Sequence, residues 1–238
     1  MELKDKVAVI TGATSGIGAA VARNLGEVGT KFVLSGRREA LLRNVAGELA
    51  HAEVLAGEIT DPALPERLIA RALEIYGRCD IVINNAGMVA AGDIASIDVD
   101  RVCEMVRVNV EGAYRMVYVA LKHFQAAGGG HLINTSSVLG GKVRENVGAY
   151  CGTKHALEAL TESLRMELAG TNIRVGCVAP GLVVTDLHRH LPVHPAEQQG
   201  FKTPLQPEDV ARSVRFMLEQ PDHVNIPRVL LLGTEQAV

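Results

Sequence analysis

Residues 7–28 read VAVITGATSGIGAAVARNLGEV, and this stretch carries the strongest prediction of the fold. Its first four residues form a short apolar run typical of a buried strand, and a helical pattern begins at Gly16. Between the two lies a loop with glycines at Gly12, Gly16 and Gly18. Such a loop can turn tightly against a phosphate, and the helix N-terminus behind it offers N–H groups and partial positive charge. The stretch therefore predicts a strand, a phosphate-binding loop and a helix.

The same alternation of short apolar runs and helical patterns continues through the chain. Near-continuous apolar strands separated by helices are typical of a parallel sheet covered on both faces. We therefore predict an α/β fold, a Rossmann-like doubly wound parallel sheet of about seven strands, with nucleotide at the carboxyl ends of the strands. Strands are predicted at 7–10, 31–35, 54–56, 80–83, 131–134, 173–178 and 229–232, and helices at 16–28, 38–49, 64–75, 99–124, 150–169 and 207–218.

Composition narrows the class of protein. The chain has 238 residues, of which 47% are hydrophobic and 21% charged, and without a linker-like segment residues 1–238 are predicted to form one domain. A net charge of -3 without a dense Lys/Arg run argues against nucleic acid as a partner. No long apolar run or signal-peptide pattern is present, which predicts a cytoplasmic protein with no membrane segment. The four scattered cysteines are predicted to be free thiols.

A tyrosine and a lysine are placed four residues apart in Tyr150-Cys151-Gly152-Thr153-Lys154. At the start of a helix they would share one face. The phenol of a free tyrosine has a pKa of about 10, and a nearby cation lowers it by favouring the phenolate. A fall of about 3 units in the pKa of the phenol requires about 4 kcal/mol of differential stabilisation of the phenolate. A close lysine in a partly buried site can supply that amount, so Tyr150 is a candidate acid–base group near neutral pH. The same spacing is also common on solvated helix faces, so the pair alone does not establish catalysis.

The tyrosine–lysine pair and the G-x-x-x-G-x-G spacing of the loop make the chain resemble the classical short-chain dehydrogenase/reductase family. The resemblance covers nearly the whole chain, because further motifs of the family follow in the right order. These are Asn84-Asn85-Ala86-Gly87 after the fourth strand, Asn109 in the long helix, Ser137 thirteen residues before Tyr150, and Pro180-Gly181-Leu182-Val183-Val184-Thr185 after the sixth strand.

The resemblance implies a catalytic tetrad. Tyr150 would donate the proton to the substrate oxygen during carbonyl reduction and accept it in the reverse direction. Lys154 would bind the nicotinamide ribose hydroxyls and lower the pKa of Tyr150. Ser137 would hydrogen-bond the carbonyl oxygen, with Ser136 as its alternative. Asn109 would hold a water that links Lys154 to solvent, or could instead be a helix residue satisfied by local backbone.

The end of the second strand predicts the choice of nucleotide. An enzyme that uses NAD places an acid there, whereas an arginine accommodates the 2′-phosphate of NADP. The segment Ser35-Gly36-Arg37-Arg38 holds no acid before Glu39, and an arginine pair offers a fork to phosphate. We predict NADP (NADPH) with Arg37 as the main contact, although the pair could simply begin a solvated helix. The predicted cofactor-binding residues are Gly12, Thr14, Ser15, Gly16, Ile17, Gly18, Arg37, Arg38, Glu58, Ile59, Asn85, Ala86, Gly87, Tyr150, Lys154, Pro180, Gly181, Val183 and Thr185.

Residues 182–204 lack a clear period and hold His188, His190 and His194. Their spacing fits no zinc motif, and no cysteine or carboxylate cluster completes a ligand set, so no metal site is predicted. The family has its substrate-covering segment at this place, and we assign these histidines to it. At residues 58–59 the chain has Glu-Ile where the family usually has Asp-Val beside the adenine.

The sequence thus predicts an NADP(H)-dependent oxidoreductase that interconverts a small carbonyl and an alcohol. The C-terminal part resembles the branch with bacterial NADP-dependent hydroxy-acid dehydrogenases and clavulanate-type aldehyde reductases. The alternatives are an acyl-thioester ketoreductase of the same family and a catalytically idle NADP-binding sensor or scaffold. The family also implies a homodimer or homotetramer that pairs through the helices predicted at 99–124 and 150–169.

Overall fold

A computed structural model describes residues 2–188 and 195–237, apart from the side chain of Gln198. Two of the histidines assigned to the substrate-covering segment, His190 and His194, lie outside the described residues. His188 lies in a short 3₁₀ turn, Asp186–His188, and a helical turn at Pro195–Gln198 follows.

Seven strands of the described chain form one parallel sheet in the order β3-β2-β1-β4-β5-β6-β7. The predicted doubly wound α/β fold is therefore confirmed. The direction of the winding reverses beside β1, so that the crevice between β1 and β4 is the expected ligand position. The strands are β1 (Val7–Thr11), β2 (Lys31–Gly36), β3 (Ala52–Ala56), β4 (Ile81–Asn84), β5 (Gly130–Thr135), β6 (Ile173–Pro180) and β7 (Arg228–Leu231).

The apolar character of β1 follows from burial on both faces. Ala8 and Ile10 belong to one core cluster, whereas Val7 and Val9 belong to the cluster on the other side of the sheet. Because successive side chains of a strand point to opposite faces, both sets must be apolar. The helices are α1 (Gly16–Gly26), α2 (Glu39–Gly47), α3 (Leu64–Tyr76), α4 (Val99–Val106), α5 (Ala113–Ala127), α6 (Gly148–Glu167), α7 (Pro195–Gln198) and α8 (Pro207–Glu219).

The helix predicted at 99–124 contains an interruption that the sequence pattern did not reveal. A π-helical turn, Arg107–Gly112, separates α4 from α5. At Gly112 an added Cβ would lie 2.8 Å from the carbonyl oxygen of Ile59, so the helix is pressed against the segment that follows β3. Short π-helical segments inside helices are frequent at functional sites. Here the turn contains Asn109, one of the predicted catalytic residues.

The carboxyl ends of the central strands gather the predicted motifs at one edge of the sheet. β1 ends at the glycine-rich loop, β4 at Asn84 and β5 at Thr135. Helix α6 begins at Gly148, which places Tyr150 in its first turn, as predicted. Within the described residues, no helix has the length and apolar character needed to cross a membrane.

Candidate active site

A cavity of about 810 Å³ opens along this edge of the sheet. Its walls come from the glycine-rich loop, the ends of β2, β4, β5 and β6, the first two turns of α6 and the segment after β6. Of the predicted cofactor-binding residues only Gly18 does not line it, and of the predicted catalytic residues only Asn109 does not. One concave surface therefore holds nearly all the positions that the motifs indicated.

The glycines of the loop have two different roles. Gly12 and Gly16 have positive φ angles of 68° and 55°, a left-handed conformation that favours glycine. An added Cβ on Gly18 would lie 2.4 Å from the carbonyl oxygen of Gly12, so Gly18 permits the helix to pack against the loop. The Asn85 side chain donates to the carbonyl oxygens of Thr11 at 3.1 Å and Gly12 at 3.3 Å, which ties β4 to the loop.

The two arginines after β2 differ in their contacts. The Arg38 guanidinium donates to the hydroxyls of Thr14 and Ser15, both at 3.0 Å, and lies 3.4 Å from the Asp186 carboxylate. Arg37 also lines the cavity but is exposed, and it has no hydrogen bond or ion pair among the described residues. The structure thus brings Arg38, rather than Arg37, onto the glycine-rich loop.

The three polar residues of the expected chemistry meet at the other end of the cavity. The Ser137 hydroxyl lies near the phenol of Tyr150 and acts to lower the pKa of that phenol. The Lys154 Nζ lies 5.7 Å from the centre of the Tyr150 ring and donates to the carbonyl oxygen of Thr135 at 2.8 Å. All three predicted residues are buried. The alternative Ser136 instead donates its hydroxyl to the Glu158 carboxylate at 2.6 Å, which favours Ser137 as the serine that faces a substrate.

Burial has the largest effect on the pKa values of Tyr150 and Lys154. It raises the pKa of Tyr150 to about 12, and the nearby Ser137 hydroxyl opposes this rise only in part. Burial also lowers the pKa of Lys154 to about 8, while the nearby Glu158 charge opposes that fall. The predicted lowering of the Tyr150 pKa by Lys154 is not seen in this geometry, where the cost of burying a phenolate is the largest influence on that pKa. At neutral pH the phenol therefore keeps its proton.

Asn109 lies behind the cavity with its amide fully engaged. Its Oδ1 accepts from the backbone N–H of Met88 at 2.9 Å. Its Nδ2 donates to the Met88 carbonyl at 2.8 Å and to the Thr153 hydroxyl at 3.2 Å. The side chain therefore joins the segment after β4 to α6, through partners that are distant in sequence and not through the local backbone of its helix.

Several charged residues in the cavity wall or beside it were missed by the sequence reasoning. Glu158 follows Lys154 by four residues, so the spacing Tyr150, Lys154, Glu158 could have indicated it. No motif pointed to the others, which are charged side chains from α4 and from the loop before α6: Arg101, Glu104, Lys142 and Arg144. In the ranges 2–188 and 195–237, no cluster of three His, Cys, Asp or Glu residues is placed to hold a metal ion.

Comparison with known proteins agrees with this architecture. Residues 6–195 match the family model described as short chain dehydrogenase. An uncharacterized oxidoreductase of Staphylococcus aureus (strain MW2) is 37% identical over 229 residues, which is 95% of this chain and 96% of that protein. The closed form of a serine dehydrogenase complexed with NADP+ superposes with a TM-score of 0.91 at 26% identity, over 98% of this chain and 96% of the other. A 3-ketoacyl-(acyl-carrier-protein) reductase from Brucella melitensis, complexed with NADH, gives 0.89 at 29% identity, over 98% of each chain.

Proposed function

Because the chain belongs to the short-chain dehydrogenase family of oxidoreductases, we propose that it interconverts a small carbonyl compound and its alcohol with NADP(H). The observation that carries the proposal is the placement of Tyr150, Ser137 and Lys154 together, in the same cavity as the glycine-rich loop. A protein that only bound the nucleotide would have no use for a buried phenol at this position. We propose a single domain for residues 1–238.

The residues at the β2 end of the cavity fit a nucleotide with a 2′-phosphate. Gly12 and Gly16 leave room for a pyrophosphate at the N-terminus of α1. Gly36 stands at the end of β2, where an added Cβ would lie 2.7 Å from Cγ2 of Thr14, so no acidic side chain fits there to bind a free ribose 2′-hydroxyl. Arg37 and Arg38 supply positive charge instead, which supports NADP(H) rather than NAD(H).

In the reducing direction Tyr150 would act as the general acid. The bound nicotinamide supplies a hydride, that is, both electrons, to the carbonyl carbon. Tyr150, whose phenol is protonated at neutral pH, donates its proton to the carbonyl oxygen, and Ser137 holds that oxygen with a second hydrogen bond. The alcohol is formed as the phenolate is reprotonated from solvent. In the oxidising direction the same groups act in reverse order.

Lys154 and the π turn would serve the same proton transfer. Lys154 carries its charge at neutral pH and faces the cavity, where it can hold ribose hydroxyls and stabilise the transient phenolate. The side chain of Asn109 is fully engaged, so a relay water near Lys154 would have to be held by a backbone carbonyl of the π turn. We therefore propose that Asn109 contributes to this proton relay through its backbone carbonyl.

Three further observations support the predicted substrate-covering segment, the predicted oligomer and the predicted free thiols. Leu187 and His188, after β6, and Gln199 line the cavity, which supports residues 182–204 as a substrate-covering segment. Tyr118 on α5 and Met166 on α6 are 47% and 59% exposed, which suits pairing of these helices in a homodimer or homotetramer. All four cysteines are free, as expected in a reducing cytoplasm.

A panel assay tests the proposed function. We expect NADPH oxidation, followed at its nicotinamide absorbance, with at least one member of a set of aldehydes and ketones, and the reverse reaction with the matching alcohol and NADP+. Tight NADPH binding without turnover of any carbonyl would instead support a sensor or scaffold. Turnover restricted to an acetoacetyl thioester would support the acyl-thioester ketoreductase.

A further inference from the structure

The cavity wall near Tyr150 carries cations that have no partner among the residues that the structure describes. Most arginines of the described chain pair with a carboxylate, as Arg71 does with Glu53 and Glu74. Arg37, Arg101, Arg107 and Arg144 form no ion pair or side-chain hydrogen bond within residues 2–188 and 195–237, and all of these except Arg107 line the cavity.

Arg101 and Arg144 belong to the Tyr150 end of the cavity. Val102 and Met105 of α4, the helix that carries Arg101, pack in the same apolar cluster as Tyr150. The loop that carries Lys142 and Arg144 is tied to the segment before α4 by a hydrogen bond from the Gly92 N–H to the Asn146 carbonyl at 2.9 Å.

These cations are separate from those of the nucleotide end. β2, which precedes Arg37, and β5, which precedes Ser137, are three strands apart, roughly 14 Å at the usual strand spacing. Arg101 and Arg144 therefore do not duplicate the role proposed for Arg37 and Arg38. They lie where the substrate, not the 2′-phosphate, would be.

The surroundings of Arg101 favour an anionic ligand. Its Nε is shielded from solvent and has no acceptor within the described structure, and a buried N–H without an acceptor is unfavourable. Glu104, one turn along α4, lines the same wall but forms no ion pair with Arg101 in that structure. This part of the cavity wall thus carries three cations, Arg101, Lys142 and Arg144, and one carboxylate, that of Glu104. The excess of positive charge suits a small anion.

We propose that Arg101 and Arg144, assisted by Lys142, bind a carboxylate of the substrate, so that this enzyme acts on oxo acids or hydroxy acids. This proposal rests on the proposed carbonyl–alcohol function. The planar guanidinium matches a carboxylate through paired hydrogen bonds and would hold the acid end while Tyr150 and Ser137 hold the reacting oxygen.

Matched substrates test the carboxylate subsite. We compare kcat/KM with NADPH for 4-oxobutanoate, its methyl ester and glyceraldehyde 3-phosphate. The wild type should prefer the free acid to the ester by about tenfold, and Arg101→Gln should remove most of that preference through KM, because hydrogen bonds to charged groups are the stronger kind. Glu104→Gln should strengthen the preference by removing a like charge. Arg67→Gln, at an exposed arginine of α3 that is off the cavity and lies 3.7 Å from Asp61, is the control and should change nothing.

The outcomes separate this subsite from the proposed function itself. If acid and ester react equally well, or Arg101→Gln and Arg144→Gln both keep the preference, the subsite is wrong although carbonyl reduction stands. A preference for the phosphate over the carboxylate overturns the assigned substrate class. If no carbonyl compound is reduced at all, the proposed function fails first and the subsite with it.

A second inference concerns Glu158, which the expected chemistry does not use. Its carboxylate accepts from the Ser136 hydroxyl at 2.6 Å and from Nε of Arg228, on β7, at 3.0 Å. Ser136 immediately precedes Ser137, and Glu158 lies one helical turn beyond Lys154. The geometry points to Glu158 as a positioning residue that fixes the strand end bearing Ser137 and places negative charge beside Lys154.

The electrostatic surroundings of Lys154 are shared by three elements. Cys177 on β6 and Glu158 on α6 both act on the Lys154 ammonium, and both act to raise its pKa against the lowering effect of burial. Arg228 on β7 and Glu162, one turn further along α6, face Cys177 in the same region. Because Glu158 is the larger of the two opposing influences, its removal should allow the Lys154 pKa to fall further.

The pH profile distinguishes positioning from simple support of the fold. Glu158→Gln should move the alkaline limb of kcat/KM to lower pH, because the ammonium is then lost earlier, while thermal stability stays close to wild type. Glu167→Gln, which changes an exposed carboxylate in the last turn of α6, is the matched control and should keep the wild-type profile. An unchanged alkaline limb in Glu158→Gln overturns the role, as does an equal shift in both variants.

Discussion

Replacement of Tyr150 by phenylalanine is expected to lower kcat for carbonyl reduction by about 10²–10⁴-fold, the usual contribution of a general acid. The affinity for NADPH should stay near that of the wild type. The substitution removes one oxygen and keeps the ring, which packs with Val89, Ala90 and Met105. Ser137 remains held, because its hydroxyl accepts from the Leu139 N–H at 3.1 Å.

The measurement is single-turnover reduction at saturating NADPH, with the dissociation constant of NADPH from a fluorescence titration. Tyr114→Phe is the matched control, because the Tyr114 hydroxyl donates to the Ala156 carbonyl of α6 at 2.7 Å without lining the cavity. It should leave kcat close to wild type. A Tyr150→Phe enzyme that keeps most of its kcat, or that loses NADPH binding, would remove Tyr150 from the role of general acid.

The sequence predicted most of the fold because its signals are local. The apolar run of β1 and the helical pattern after Gly16 both arise because the sheet is buried on its two faces. The same arrangement of buried strand and covering helix repeats in each βα unit. The glycine-rich loop was equally clear, since positive φ at Gly12 and Gly16 restricts the residue type. The π turn at Arg107–Gly112 was not predictable, because it depends on contact of Gly112 with a distant segment.

The candidate site was predictable in its residues but not in its electrostatics. Four-residue spacing places Tyr150 and Lys154 on one face, and this spacing alone suggested a lowered phenol pKa. The structure raises that pKa to about 12, because burial, which is a property of the packed chain, is the largest influence on it. Likewise, residue order could not show that Arg38, and not Arg37, contacts Thr14 and Ser15.

The contacts of the two arginines give different expectations for nucleotide binding. The Arg37 side chain has no partner among the described residues, so Arg37→Ala should weaken NADPH and leave NADH nearly unchanged. Arg38 also holds the hydroxyls of the glycine-rich loop, which both nucleotides would contact. Arg38→Ala should therefore weaken NADPH strongly and NADH slightly.

The Arg37→Ala/Arg38→Ala double variant should lose about 100-fold in its preference for NADPH over NADH, since hydrogen bonds to a charged group contribute about 1.5–3 kcal/mol. The measurement is kcat/KM for each nucleotide at a fixed carbonyl concentration. Arg43→Ala is the control, because Arg43 lies on α2, the helix that follows Arg38, and pairs only with Glu39 on the exposed surface. Equal losses for NADPH and NADH would show that the arginines support the loop alone. The Arg37→Ala variant keeps the contacts of Arg38 with the glycine-rich loop, so it is the cleaner test of whether the 2′-phosphate is bound at this end of the cavity.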